Sequence, residues 1–278
     1  MKRSQFIDAA SILITKSPFP NLPMSRAVRP FLKTATLSLA TCVVLLAAAA
    51  VPGGDLSTAP PAPQLLVVFI GGMDSDPTPE EIAGTARAGA GNSGMFPLCQ
   101  NMNDDRLVCE YFNWNGTRAG RINSKEPPFA DAIIDRITKH IRQYPRSQIA
   151  IVGNSWGGHT AWQVADQLSR SDQPLAVKRV VFLDASSTGR ALDRHPRRLP
   201  INISRAVHYY THNVYCWGPW SGDRIHPIDL GDPDLGYCKN GTPNYASNFD
   251  FQAHVAAEWD PRIHAEIKRD ILSLLREP

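Results

Sequence analysis

The stretch QIAIVGNSWGGHTAWQVA, residues 148–165, joins an apolar run to a glycine-rich turn with Ser155 at its centre. The run over 148–152 is typical of a buried strand, and residues 159–168 are typical of a helix. Between them, GNSWG over 153–157 fits the pattern G-x-S-x-G. Because this pattern arises by chance on the order of 0.1 times in a chain of this length, its strand-turn-helix context is what distinguishes a presented nucleophile from an incidental serine.

Strand and helix signals alternate along the rest of the chain. Candidate strands are residues 65–70, 107–112, 148–152, 177–183 and, more weakly, 206–210. Candidate helices are residues 129–144, the segment after Ser155, and a final helix that Asp260 caps and Pro261 begins. The alternation predicts the α/β class, with a mainly parallel central sheet, helices on both faces and a three-layer sandwich, in one domain over residues 64–278.

The first 51 residues do not fit this domain. Basic residues precede the apolar run ATLSLATCVVLLAAAAV over 35–51, and small residues with A-x-A cleavage sites end it. That order is typical of an export signal, so we expect a periplasmic or secreted protein. An uncleaved anchor is the alternative, which would associate the protein with a membrane through residues 35–51. Residues 52–63 are rich in proline and are expected to form a short tether.

The distribution of charge argues against nucleic acid as a partner. Of the chain's 29 basic and 26 acidic residues, six and one respectively lie in residues 1–50, so the remainder holds 23 and 25. The basic balance is therefore a property of the signal and not of the domain. The sequence leaves the oligomeric state open.

Four cysteines remain beyond Cys42: Cys99, Cys109, Cys216 and Cys238. An even number in an exported chain predicts two disulfides, and we expect the local pairs Cys99 with Cys109 and Cys216 with Cys238. Zinc ligation is the competing interpretation of the same residues. Because no C-x-x-C spacing occurs, we expect no metal.

Four motifs together resemble the α/β-hydrolase superfamily, especially its lipases and esterases: FIGG, GNSWGG, FLDAS and HVAAEWDPRI. The resemblance covers about residues 64–277. Asn154 stands where many members carry histidine, which leaves the subfamily open. The resemblance implies an α/β-hydrolase fold and a catalytic triad in the chain order serine, acid, histidine.

The triad that the resemblance implies has Ser155 as nucleophile and His254, just before the final helix, as base. Two aspartates compete for the acid. Asp184 ends the candidate strand 177–183, at the carboxyl edge where α/β sites assemble. Asp223 is the alternative, because it is the first carboxylate after the candidate strand that ends near Tyr210.

The same resemblance implies an oxyanion hole made of backbone N–H groups, one from Trp156 and one from the turn near Gly72 or Met73. The expected activity is hydrolysis of a small-molecule or lipid carboxylic ester through an acyl-enzyme, with no cofactor. A secreted amidase or peptidase is an alternative on the same scaffold. A non-catalytic binding or cell-surface protein is another, since fold alone does not establish function.

Overall fold

The computed structural model describes residues 62–73, 93–114, 129–187, 195–237 and 243–277. The predicted signal, residues 1–51, and most of the proline-rich tether fall outside these ranges. Within the described ranges, no helix is both long and apolar enough to cross a membrane.

The centre of the protein is a parallel sheet of six strands in the order β2-β1-β3-β4-β5-β6. The strands are β1 (Leu65–Met73), β2 (Leu107–Trp114), β3 (Gln148–Asn154), β4 (Val177–Leu183), β5 (Ile203–Tyr210) and β6 (Ile225–Asp229). Because every strand runs in the same direction, their carboxyl ends meet at one edge of the sheet.

Helices cover both faces of this sheet. They are α1 (Met95–Gln100), α2 (Phe129–Gln143), α3 (Trp156–Arg170), α4 (Phe251–Trp259) and α5 (Pro261–Ser273). Alternate residues of β1 enter opposite cores: Leu66 and Val68 pack with α2 and α3, whereas Leu65 and Val67 pack with α1, α4 and α5. A strand buried on both faces needs a continuous apolar run, which LLVVFI supplies.

The predicted fold class is therefore confirmed, and most element boundaries extend the predicted ones by a few residues. The final helix begins as expected, with the Asp260 carboxylate accepting hydrogen bonds from the N–H groups of Arg262 and Ile263. Three of these elements were missed: α1, α4 and β6. The residues of α4, 251–259, were expected only as the segment before the final helix. Helix α1 has only six residues, and β6, with the sequence IHPID, has neither a continuous apolar run nor a clean alternation.

The strand order places Ser155 at a switch point of the sheet. The chain starts at β1, leaves it for β2 on one side and then returns to β3 on the other. In open parallel sheets, ligands bind in the crevice outside the carboxyl ends of the strands at such a point. Ser155 directly follows β3, and Gly72 lies near the carboxyl end of the neighbouring β1.

The predicted disulfide between Cys99 and Cys109 is confirmed, with a Cα–Cα distance of 5.8 Å. It joins the end of α1 to β2 on the face that also holds α4 and α5. This bond closes a local loop of the chain and thereby restricts the unfolded state.

A test of the turn after β3 uses two glycines. A Cβ at Gly157 would overlap the backbone oxygens of Ile70 and Gly71, whereas a Cβ at Gly218 would meet nothing within 4 Å. We expect Gly157→Ala to lower the free energy of unfolding by about 1–3 kcal/mol, because α3 must move away from β1. Gly218→Ala should stay within about 0.5 kcal/mol of the parent. Urea denaturation measures both, and equal stabilities would contradict this account of the crossing.

Candidate active site

Ser155 occupies a strained turn between β3 and α3. Its backbone has φ 52° and ψ −125°, a conformation that costs a non-glycine residue on the order of 1–3 kcal/mol. The surrounding backbone fixes it there: its N–H donates to the oxygen of Leu183 at 3.1 Å, and its own oxygen accepts from the N–H groups of Gly158 and Ser186, each at 2.9 Å. These hydrogen bonds maintain the strained turn, and the turn presents the hydroxyl at the carboxyl edge of the sheet.

His254 and Asp184 lie beside this hydroxyl in a continuous chain of hydrogen bonds. The Nε2 atom of His254 is 3.0 Å from Ser155 Oγ, and its Nδ1 atom is 2.7 Å from Asp184 Oδ2. With the proton on Nδ1, the imidazole donates to the carboxylate and its Nε2 accepts from the serine. The structure therefore brings together the three side chains that the sequence singled out.

Each of the two partners is positioned by its own element. Asp184 directly follows β4, is fully buried and has φ 42°, a left-handed conformation that aspartate tolerates better than most residues. His254 lies in the first turn of α4, which begins where the Asp250 carboxylate accepts from the N–H groups of Gln252 and Ala253.

The carboxylate of Asp184 has several further donors. Its Oδ1 accepts from the backbone N–H and from the hydroxyl of Thr211, both at 2.9 Å, and the hydroxyl is also 3.1 Å from Oδ2. The thiol of Cys216 donates to Oδ2 at 3.4 Å. A buried carboxylate needs such donors because it has lost its hydration. They also fix its orientation toward His254.

These contacts change the pKa values of both groups. Burial alone would raise the pKa of Asp184, but the hydrogen bonds from His254 and Thr211 and the charge of the imidazolium outweigh burial and lower it. Burial would likewise lower the pKa of His254, but the hydrogen bond and charge of Asp184 prevail and raise it. At neutral pH, Asp184 is therefore ionised and stabilises the protonated form of His254.

A buried pair of side chains supports α4 one turn beyond His254. Glu258 accepts a 2.8 Å hydrogen bond from the hydroxyl of Ser93, a fully buried residue just before α1. The backbone oxygen of Glu258 also lies 2.6 Å from Nε2 of His264, on α5. Because Ser93 and His264 hold the far end of α4, the orientation of His254 does not depend on its own hydrogen bonds alone.

Asp223, the alternative acid, lies at the other edge of the sheet. It is an exposed residue just before β6, whereas Ser155 follows the carboxyl end of β3. In an all-parallel sheet, the start of one strand and the end of another lie at opposite edges. The alternative is therefore wrong as a partner of His254, and the reason is that β6 was missed. Residues 211–224 carry the chain back to the start of β6.

The predicted disulfide between Cys216 and Cys238 is also wrong. Cys216 is a free, buried thiol, and its sulfur lies 3.4 Å from both Asp184 Oδ2 and His254 Nδ1. Cys238 lies outside the described residues. Burial and the neighbouring charge of Asp184 raise the pKa of Cys216, so the sulfur stays protonated and serves as a weak donor.

The backbone groups expected to form an oxyanion hole adjoin Ser155. Trp156 is the first residue of α3, where N–H groups point out of the end of the helix. On the other side, a Cβ built on Gly72 would lie 3.5 Å from Ser155 Oγ, so the end of β1 passes directly beside the hydroxyl. Met73 is the last residue of β1. Their role toward a bound oxyanion stays a prediction.

Thr211 and Cys216 were not predicted as part of the site. Thr211 directly follows β5, so its strand-end position next to β4 could have identified it. Cys216 lies on the segment between β5 and β6, and only the folded chain brings it to Asp184. Asp184, Cys216 and His254 offer ligand atoms that all lie within 4.8 Å of one another. Among the described residues, these three side chains are placed closely enough to act together as metal ligands.

Comparison with known proteins leaves the family of the chain open, because no family model and no curated protein matches it. Among solved structures, an acetylxylan esterase is similar at 14% identity, covering 78% of this chain and 98% of its own, with a TM-score of 0.39. A cutinase-like protein from Cryptococcus sp. is similar at 15% identity, with coverages of 76% and 94% and a TM-score of 0.40. The catalytic core domain of an acetyl xylan esterase from Trichoderma reesei is similar at 14% identity, with coverages of 77% and 99% and a TM-score of 0.39. Similarity this low carries no argument about activity, so the function has to be inferred from the site itself.

The acid that orients His254 can be identified by NMR titration. In the parent protein we expect the imidazole of His254, assigned with a His254→Gln variant, to titrate above its usual pKa of about 6.5. In Asp184→Asn the charge is lost while burial remains, so the imidazolium loses its stabilisation and the pKa should fall below that value. The matched control Asp223→Asn should leave it unchanged. A fall in Asp223→Asn alone would contradict the assignment.

Proposed function

We propose that the protein is a serine hydrolase that cleaves carboxylic esters through an acyl-enzyme, with Ser155, His254 and Asp184 as its catalytic triad. The observation that carries this proposal is the chain of hydrogen bonds from Ser155 Oγ through both nitrogens of His254 to Asp184 Oδ2, of 3.0 Å and 2.7 Å. A serine hydroxyl is a weak nucleophile until a base within hydrogen-bond reach removes its proton, and the triad supplies that base.

In the first half-reaction, Ser155 Oγ attacks the ester carbonyl carbon and its proton passes to Nε2 of His254. The resulting imidazolium faces the ionised carboxylate of Asp184, which stabilises the positive charge without accepting the proton. His254 then gives its proton to the departing alcohol, leaving the acyl group on Ser155. Because only neutral His254 can act as the base, kcat/KM should fall as the pH drops below the raised pKa of this residue.

In the second half-reaction, water takes the place of the alcohol. His254 removes a proton from the water, which attacks the acyl carbon, and then returns that proton to Ser155 Oγ as the acid leaves. Both steps form a tetrahedral oxyanion. We expect the N–H of Trp156 and an N–H at Gly72 or Met73 to stabilise it, and loss of one such donor costs on the order of 3 kcal/mol of transition-state stabilisation.

The preference for esters rests on the chemistry of the site and on the resemblance of its motifs to lipases and esterases. An amide has a poorer leaving group, so the same triad acting on peptides or amides is the principal enzymatic alternative. A binding protein that retains the scaffold would have no need of the strained φ of Ser155 or of an imidazole aligned with it. This combination of strain and alignment is the observation that favours catalysis over binding.

We also propose that the protein is exported. The support is the order of basic, apolar and small residues before position 52, together with the Cys99–Cys109 disulfide, a bond that persists in oxidising compartments. The mass of the protein purified from its producing cell should show that the predicted signal, residues 1–51, has been removed. A mass that retains residues 35–51 would instead indicate a membrane-anchored product.

The proposed activity is tested with p-nitrophenyl esters of increasing acyl length, from acetate to palmitate. We expect Ser155→Ala to lower kcat by about 10⁴-fold or more, because neither the base nor the acid can act without the nucleophile. The control is Ser169→Ala, near the end of α3, whose hydroxyl donates to the backbone oxygen of Asp166; this variant should retain activity. The preferred chain length would distinguish an esterase from a lipase.

A fluorophosphonate provides a second readout that is independent of the ester chosen. It should label Ser155 in the parent protein and not in Ser155→Ala. Labelling without turnover of any ester would direct attention to amides. A folded protein that neither turns over esters nor is labelled would contradict the proposal and favour the binding protein.

A further inference from the structure

We propose that Asp184, Cys216 and His254 form a binding site for a thiophilic divalent cation such as Zn²⁺, and that a cation bound there stops His254 from acting as a base. The second half of this statement rests on the function proposed above, whereas the first half does not. Cys216 lies 32 positions after Asp184 and 38 positions before His254, so the three residues form no local sequence motif.

The ligand atoms are of the kinds that zinc prefers: a sulfur, an imidazole nitrogen and a carboxylate oxygen. Zinc binds such atoms at about 2.0–2.3 Å, which places tetrahedral ligands about 3.3–3.6 Å apart. The sulfur of Cys216 is already 3.4 Å from Asp184 Oδ2 and 3.4 Å from His254 Nδ1. Only the 2.7 Å distance between Oδ2 and Nδ1 has to widen, by about 0.6 Å, to reach this geometry.

The balance of charge also favours a dication. Asp184 is fully buried and Cys216 is 4% exposed, so the carboxylate is a buried negative charge. Zinc binds a thiolate, and binding therefore releases the thiol proton to solvent. The carboxylate and the thiolate then neutralise the two positive charges of the ion. A buried charge is tolerated when it is paired and its ligands are satisfied, which this exchange achieves.

Binding at Nδ1 would change which nitrogen of His254 carries the proton. In the chain of hydrogen bonds described above, Nδ1 carries it and Nε2 accepts from Ser155. A metal-bound Nδ1 cannot keep its proton, so neutral His254 must carry the proton on Nε2. An Nε2 that already carries a proton cannot accept one from Ser155. The cation would therefore block acylation without touching the serine.

Access to the site is restricted, because two of the three ligands are buried and the side chain of His254 is 13% exposed. The ion has to enter past the imidazole. We therefore expect inhibition by Zn²⁺ to develop over time and to be reversed by a chelator, rather than to appear at once.

The binding half is tested by titrating Cd²⁺ into protein that carries no polyhistidine tag, in the absence of thiol reductants. We expect one equivalent to produce the ultraviolet charge-transfer absorption of a cadmium thiolate. Ser155→Ala should bind equally, because Ser155 is not a ligand, and Cys238→Ser should too, because the signal belongs to Cys216. Cys216→Ser, checked by circular dichroism for its fold and accompanied by Cys216→Ala, should lose the absorption.

The inhibition half is measured on ester hydrolysis with Zn²⁺ in place of Cd²⁺. We expect Cys216→Ser to require at least about tenfold more Zn²⁺ for half-inhibition than the parent, each variant being compared with its own metal-free rate. Absence of the thiolate absorption in the parent protein, its persistence in folded Cys216→Ser, or equal inhibition of the two proteins would overturn the proposal. If no ester is hydrolysed, the cadmium titration still decides whether the site exists, so failure of the proposed function would be recognised separately.

Discussion

A single buried carboxylate organises the chemistry of this protein. Asp184 has no exposure to solvent, and its negative charge is stable only because Thr211, Cys216 and His254 direct hydrogen atoms at it. The same charge raises the pKa of His254 against the opposing effect of burial. An imidazole that gains this stabilisation when protonated is a better proton acceptor from Ser155. In the proposed mechanism, the basicity of His254 therefore depends on how the carboxylate is buried.

The parallel sheet explains why these groups meet. Ser155 follows β3, Asp184 follows β4 and Thr211 follows β5, and these three strands are neighbours. Each residue stands at the carboxyl end of its strand, so three short turns bring the proposed nucleophile, the proposed acid and a donor to that acid into one row. Only His254 comes from outside the row, on a helix whose position is fixed by the buried contact between Glu258 and Ser93.

This geometry also explains which parts of the site could be predicted. Ser155 and Asp184 each follow a strand with a continuous apolar run, and a strand end is visible in sequence near the place where that run stops. Asp223 was misplaced because β6 is short, contains a proline and leaves no such trace. Without β6, the sequence predicts that the segment after β5 stays at the edge of the sheet that holds Ser155. Its actual path to the opposite edge is a matter of tertiary packing, which local pattern does not encode.

Cys216 shows the limit of reasoning from residue counts. An even number of cysteines in an exported chain favours disulfides, and that rule succeeded for Cys99 and Cys109, which lie ten residues apart. It failed for Cys216 because a thiol can also be retained as a buried hydrogen-bond donor, which pairing would remove. The same placement gives His254 Nδ1 two alternative roles. In the proposed triad, Nδ1 donates its proton to Asp184, so Nε2 can accept the proton of Ser155. In the other role, Nδ1 would bind a cation together with the sulfur and the carboxylate. The two roles exclude each other, because Nδ1 must carry a proton in the first and must offer its lone pair to the cation in the second.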